Sequence, residues 1–184
     1  MLGLIFAILI VVIDVVISLW NSYNSGQIYA TNKALGSIFY TLGGFFPMSY
    51  MVTLLITFIA GYLGYISLST FQFLFSFSFL FFGLTIVIWG VIATVTTGMA
   101  ALKTRDWKAG LLTVFNAIVT VLDAWEYISG FYSAWKEVRR SIDNSDFSVL
   151  DVLAILALAV GIGFVVTYVA FREGLRNSRV AYRY

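Results

Sequence analysis

The residues most able to do chemistry in this chain are three acids that lie inside long apolar stretches. Asp14 lies within the apolar run 2–20, and Asp123 and Glu126 lie within the run 110–135, whereas no Lys or Arg falls inside any apolar run. If these runs cross a bilayer, a carboxyl group near its centre costs about 2.5–3.5 kcal/mol on insertion scales. Each acid is therefore a candidate functional residue.

Three kinds of chemistry fit these carboxyl groups. They could form a proton relay or an oxygen-ligand site for Na⁺ or Ca²⁺, in which like charges so close cannot all stay ionised cheaply. They could instead be protonated or hydrogen-bonded to a neighbouring helix, in contacts that contribute about 0.6 kcal/mol on average. They could also pair with basic residues of a partner subunit. The sequence leaves all three interpretations open.

The run 110–135 carries a polar face that includes one of the acids. Residues at alternating steps of four and three share one face of a helix, and here that face consists of Asn116, Thr120, Asp123, Tyr127, Gly130, Ala134 and Glu137. Glu126 borders it. A shorter stripe in the first run consists of Asp14, Ser18 and Asn21. Because lipid penalises such stripes, we expect Asp14 and Asp123 to face the bundle interior, about one side-chain layer apart. The candidate ion or polar-contact residues are Asp14, Asp123, Glu126, Asn116, Thr120 and Ser18.

Composition indicates an integral membrane protein. The 184 residues are 61% hydrophobic and 11% charged, whereas a soluble domain carries about 25% charged residues. The net charge of +2 is too small to favour nucleic acid, so we expect the bilayer and other membrane subunits, or further copies of this chain, as partners.

The residue types that are missing argue against most enzyme classes. Without Cys and His there are no disulfides, no Cys/His zinc sites, no usual haem ligands and no imidazole base. The GxGD signature of intramembrane aspartyl proteases and the phosphate loop GxxxxGK[ST] are also absent. We therefore expect a non-enzymatic protein without cofactor or metal.

Hydropathy predicts an all-α, polytopic membrane bundle with about five spans in a single unit. A span needs about 20 apolar residues, and the predicted helices are 2–20, 48–68, 71–98, 110–135 and 149–171, followed by a basic tail 172–184. The uncharged region 36–68 is long for one span and short for two, and it contains Pro47. The segment before Pro47 is either re-entrant or interfacial, or it is part of a bent helix or a surface loop.

Charge in the loops predicts the orientation. With five spans and an external N-terminus, eight basic residues lie on the cytoplasmic side and three lie outside. The positive-inside rule therefore favours an N-out, C-in protein, which we expect in the plasma membrane. The basic stretch 136–140 is discordant with this rule.

Small residues and the basic tail give two weaker hypotheses. Small residues let helices approach closely, within one chain or in a dimer; the candidates are Ala157, Gly161, Gly61 and Gly64. The basic residues of the tail either bind anionic head groups or only fix the topology; they are Arg172, Arg176, Arg179 and Arg183.

Overall fold

The protein folds as an all-helical bundle. The computed structural model describes the backbone of residues 2–105 and 107–181, and the side chains of residues 12–103, 105, 107–108 and 110–178. The helices are α1 (Leu2–Thr31), α2 (Lys33–Phe39), a π-helical segment (Tyr40–Phe45), α3 (Phe46–Tyr62), α4 (Leu68–Thr104), α5 (Trp107–Ile142) and α6 (Val149–Ala181).

The prediction of a membrane helix bundle is confirmed. Within the described residues, the segments long and apolar enough to cross a bilayer are Lys33–Tyr62, Leu68–Lys103, Gly110–Ile142 and Val149–Ser178. The remaining predicted span, residues 2–20, lies in α1, where the side chains of residues 2–11 are outside the described part, so this span stays a prediction.

Most helices are longer than hydropathy predicted, whereas the predicted helix 48–68 ends early, at Tyr62. The first helix continues past Trp20 to Thr31 because its polar residues Ser22 and Ser25 are buried against other helices and do not interrupt it. α1 ends at Thr31. The next residue, Asn32, caps α2, because its side-chain oxygen accepts a hydrogen bond from the Leu35 amide. The predicted tail 172–184 is helical as far as Ala181.

The segment before Pro47 is helical and continuous with α3, which agrees with the bent-helix alternative and contradicts the surface-loop alternative, whereas a re-entrant or interfacial position stays a prediction. Residues 33–62 form one helical run with a π-helical segment directly before Pro47. Pro47 has no N–H for the carbonyl of Gly43, four residues earlier. The Asn21 side-chain amide of α1 donates to that carbonyl instead, at 2.9 Å.

The helices alternate in direction through short connections. The last turn of α3 closes with Tyr65 N–H donating to Ala60 O and Gly64 N–H donating to Gly61 O, with Gly64 at φ +73°. The Ser67 hydroxyl then caps α4. α4 and α5 form a long hairpin, α6 packs against both α1 and α3, and α3 packs against α4.

Candidate functional site

The polar face of α5 packs against α4. Asn116 donates to the Thr97 hydroxyl at 3.4 Å, the hydroxyls of Thr94 and Thr120 lie 3.4 Å apart, and the Tyr127 hydroxyl donates to the Leu80 carbonyl at 3.1 Å. The predicted face is thus the surface by which α5 binds its neighbour, and Asn116 and Thr120 belong to this hydrogen-bonded seam.

Glycines let α4 and α5 approach each other closely along this seam. A Cβ at Gly90 would overlap the Thr120 side chain, and a Cβ at Gly83 would lie 2.9 Å from the Tyr127 ring. Gly130, on the predicted face, would meet Phe79 at the same distance. Helices that approach this closely place their polar side chains within hydrogen-bonding range.

Asp123 and Glu126 lie on α5 beside this seam without being part of its hydrogen bonds, and Asp14 lies on α1. Asp14 and Asp123 are half-buried, and Glu126 is exposed. Among the described residues, none of the three carboxyls forms a hydrogen bond or an ion pair with another side chain. Lipid is a poor environment for a carboxyl group that has no donor or cation beside it.

Asp14 and Asp123 lie on α1 and α5, two helices that do not pack extensively against each other. The Asp123 carboxyl of α5 lies within electrostatic range of Glu126 and of Asp14 in α1. The Tyr50 hydroxyl of α3 lies within range of Glu126 and Asp14 as well. We call Asp14, Tyr50, Asp123 and Glu126 the acidic cluster.

The acidic cluster is a set of separated carboxyls and not a coordination shell. Within the described part of the chain, no three Asp or Glu side chains come close enough together to hold a metal ion. Carboxyls in this arrangement can accept hydrogen bonds, exchange protons or pair with incoming basic groups.

Tyr50 was missed by sequence reasoning. It lies on α3 with its ring 5.8 Å from that of Phe82 on α4, which fixes its position. The available signal was weak, because Tyr50 is one of four tyrosines in the uncharged run 36–68 and nothing in the sequence distinguishes it from the others.

Ser18 belongs to a packing surface and not to the acidic cluster, although it shares a helix face with Asp14. It is 1% exposed, and its carbonyl accepts from the Ser22 hydroxyl at 2.8 Å. A Cβ at Gly44 in the π-helical segment would overlap Ser22. The stripe therefore divides into a packed part near Ser18 and an acidic part at Asp14.

Buried Ser and Thr residues lie at the centre of the bundle, and they were not among the residues predicted from the sequence. They recur at helical spacing and have no exposed surface, as Ser49, Thr53, Thr57 and Thr167 illustrate. Ser49 lies against Gly163 of α6, where a Cβ would meet its hydroxyl at 2.5 Å. The steps of four residues on α3 were a readable signal for a packing face.

The predicted small-residue candidates have different roles. Gly61 lies against the Phe71 ring, where a Cβ would come within 2.6 Å. Gly64 is the left-handed residue that ends α3, so its prediction as a helix-packing residue is wrong. Ala157 and Gly161 are exposed, with open space around Gly161, so they pack no helices within the described chain, and a dimer face stays a prediction.

Arg172 and Arg176 of the basic tail are exposed near the end of α6. Arg176 lies 3.9 Å from Glu173, and Arg172 lies 6.0 Å from the centre of the Tyr168 ring. The side chain of Arg179 and the whole of Arg183 lie outside the described residues. The choice between head-group binding and a topological role therefore stays a prediction.

No family model, curated protein or solved structure matches this chain.

Proposed function

We propose that this chain is a non-enzymatic subunit of a membrane assembly and that it binds its partner through the acidic side of α5. The observation that carries the proposal is the exposed side chain of Glu126, halfway along the span Gly110–Ile142. In an isolated chain this carboxyl would face hydrocarbon, at a cost of about 2.5–3.5 kcal/mol. A partner helix that offers a hydrogen-bond donor or a basic side chain removes that cost.

The packing of α5 supports the same proposal. Within the described chain, α5 packs extensively against α4 alone. The surfaces that flank Glu126 are large and apolar, and Trp125 and Ile128 are each 73% exposed. Because α5 is packed along one side, its other side is a broad surface that another membrane chain can contact.

Charge specifies the chemistry of the partner. The apolar runs of this chain hold acids but no Lys or Arg, so a second copy cannot supply a basic residue at the depth of the acidic cluster. A Lys or Arg in a span of another protein would pair with Asp123 and Glu126, because intramembrane charges are found paired with one another. We therefore favour a hetero-oligomer over a homo-oligomer.

Co-purification from the native membrane tests the proposal. We expect a stoichiometric second chain in the detergent-solubilised particle, and we expect both Glu126→Gln and Asp123→Asn to release it, because an amide cannot pair as an anion. Glu173→Gln on α6, an exposed acid near the end of the bundle, is the matched control and should retain the partner. Retention in Asp123→Asn with loss only in Asp123→Leu would instead indicate hydrogen-bonded packing.

A small cation or proton channel or transporter is the second candidate. It is favoured by one observation, that Asp14 and Tyr50 come within electrostatic range of the α5 acids from two other helices. The test is ion or proton flux by the purified protein in liposomes. Flux that disappears in Asp123→Asn while the particle size stays unchanged would replace the subunit proposal with this one.

We further propose that the chain lies in the plasma membrane with its N-terminus outside and its C-terminus in the cytoplasm. Because the helices alternate in direction, most basic residues lie at one end of the bundle, and they include Lys33, Lys103, Arg105, Lys108, Arg172 and Arg176. The positive-inside rule assigns this end to the cytoplasm.

A further inference from the structure

The far end of α5 carries a groove that the acidic cluster does not use. It has a volume of about 510 Å³ and is lined by Tyr132, Trp135, Lys136, Arg139, Arg140, Asp143 and Asn144. We call it the basic groove. Its charge is +2, from three basic residues and one acid. It lies at the end of the bundle opposite the basic C-terminal tail.

The way in which α4 and α5 pair places these basic residues beside apolar residues of α4. Asn144 donates to the Ser69 hydroxyl at 2.8 Å, and Gly130 packs against Phe79. The basic residues of α5 lie between these two contacts, beside a stretch of α4 without any charge. Lys136 lies six residues before Ile142, the last residue of α5, and thus about 9 Å deeper along the helix. These cations therefore lie at the level of apolar residues of α4.

The chain itself compensates little of this charge. Arg140 lies 3.9 Å from Glu137 and its side chain is 70% exposed. Within the described part of the protein, Lys136 and Arg139 form no ion pair. Basic residues at this end also run against the positive-inside rule, so topology does not account for them.

We propose that the basic groove binds the phosphate of an anionic lipid head group. Lys136 and Arg139 would donate to the phosphate oxygens, and the guanidinium can do so through two parallel N–H groups. Trp135 and Tyr132 are amphipathic rings of the kind that lie at the level of head groups, where they would contact the glycerol and the upper acyl chains. This binding accounts for the positive charge that the chain itself leaves uncompensated.

Native mass spectrometry of the full chain with phosphatidylglycerol and phosphatidylcholine tests the proposal. We expect preferential retention of phosphatidylglycerol, and the triple variant Lys136→Gln, Arg139→Gln, Arg140→Gln should lose it. Each basic residue near a membrane surface contributes about 1 kcal/mol, or about fivefold in affinity, so the triple variant should bind roughly a hundredfold more weakly. The matched control is Lys33→Gln, Lys103→Gln, Arg105→Gln at the other end, which removes the same charge and should keep the tightly held lipid.

Two further measurements keep the result interpretable. Circular dichroism and particle size establish that the triple variant is folded, and Arg139→Lys, which keeps the charge, should retain most of the binding. Excess inorganic phosphate should not displace the lipid, because it lacks the glycerol and acyl chains that the two rings contact. Equal loss in the control, equal retention of phosphatidylcholine, or full displacement by inorganic phosphate would overturn the proposal.

Discussion

The side-chain amide of Asn21 completes a backbone that Pro47 leaves incomplete. The Gly43 carbonyl cannot receive an α-helical hydrogen bond from position 47, and it accepts from Asn21 at 2.9 Å. In a bilayer a missing backbone hydrogen bond has no water to replace it, so a neighbouring side chain must do so. Gly43 and Gly44 lie between Trp89 of α4 and Ser22 of α1, which fixes the π-helical segment between two neighbours.

This contact leads to a prediction of coupling between two residues. Asn21→Ala should lower the free energy of unfolding by about 1–3 kcal/mol, because it removes the side-chain donor from the buried Gly43 carbonyl. In a Pro47→Ala background position 47 regains its N–H, so the same substitution should cost less. Unfolding in mixed micelles by SDS titration, arranged as a double-mutant cycle, measures the difference. Equal costs in both backgrounds would contradict the interpretation.

The sequence predicted part of the candidate site at this scale. The spacing from Asn116 to Glu137 identified the face of α5 correctly, because a polar stripe in an apolar helix is visible without knowing its neighbour. The roles of Ser18 and Tyr50 could not be predicted, because they depend on which residues of other helices lie opposite.

At the scale of elements, α1 and α6 cross at very close range. A Cβ at Gly26 would overlap the Phe171 carbonyl, and a Cβ at Gly174 would overlap the Tyr23 carbonyl. Only glycine lets two backbones approach this closely. Ser178 and Ser25, on the same two helices, are also buried.

We therefore predict that Gly174→Ala lowers the free energy of unfolding of the bundle by about 1–3 kcal/mol or more, which is the usual penalty for overpacking. The added methyl group would meet backbone, which cannot rotate out of the way. Gly161→Ala lies in open space on the same helix and is the matched control, with little change expected. The two variants can be compared by SDS unfolding, and equal stability would show that the crossing is not close.

Sequence patterns alone could not distinguish these two glycines. Small residues are common in membrane helices, and whether a pair is buried is decided by the path of the neighbouring helix. The helical class and most of the spans were predictable from hydropathy, because lipid requires long apolar helices. The continuation of α1 to Thr31 was not predictable from hydropathy, because the polar residues after Trp20 are typical of a loop.

At the scale of the whole molecule, the alternating helices separate two chemically different ends. One end holds the turn before α2, the turn between α4 and α5, and the basic end of α6. The other end holds the turn at Gly64, the loop 143–148 and the basic groove. An assembly partner and a lipid head group would therefore bind different parts of α5.

The two ends should react differently with an impermeant thiol reagent. The chain has no Cys, so single cysteines report their own location. We expect Asp146→Cys to label from outside intact cells and Asn177→Cys to label only after permeabilisation, and both positions are exposed. Labelling in the opposite pattern would reverse the orientation that we propose.

Photo-crosslinking from α5 tests the central proposal most directly. A photo-reactive residue at Leu122, which is 61% exposed and one helical turn from Glu126, should crosslink to one defined partner chain in native membranes. The same residue at Leu158 on α6 should not, and Glu126→Gln should abolish the crosslink from Leu122. A crosslink that persists in Glu126→Gln, or crosslinks to lipid only, would contradict the account.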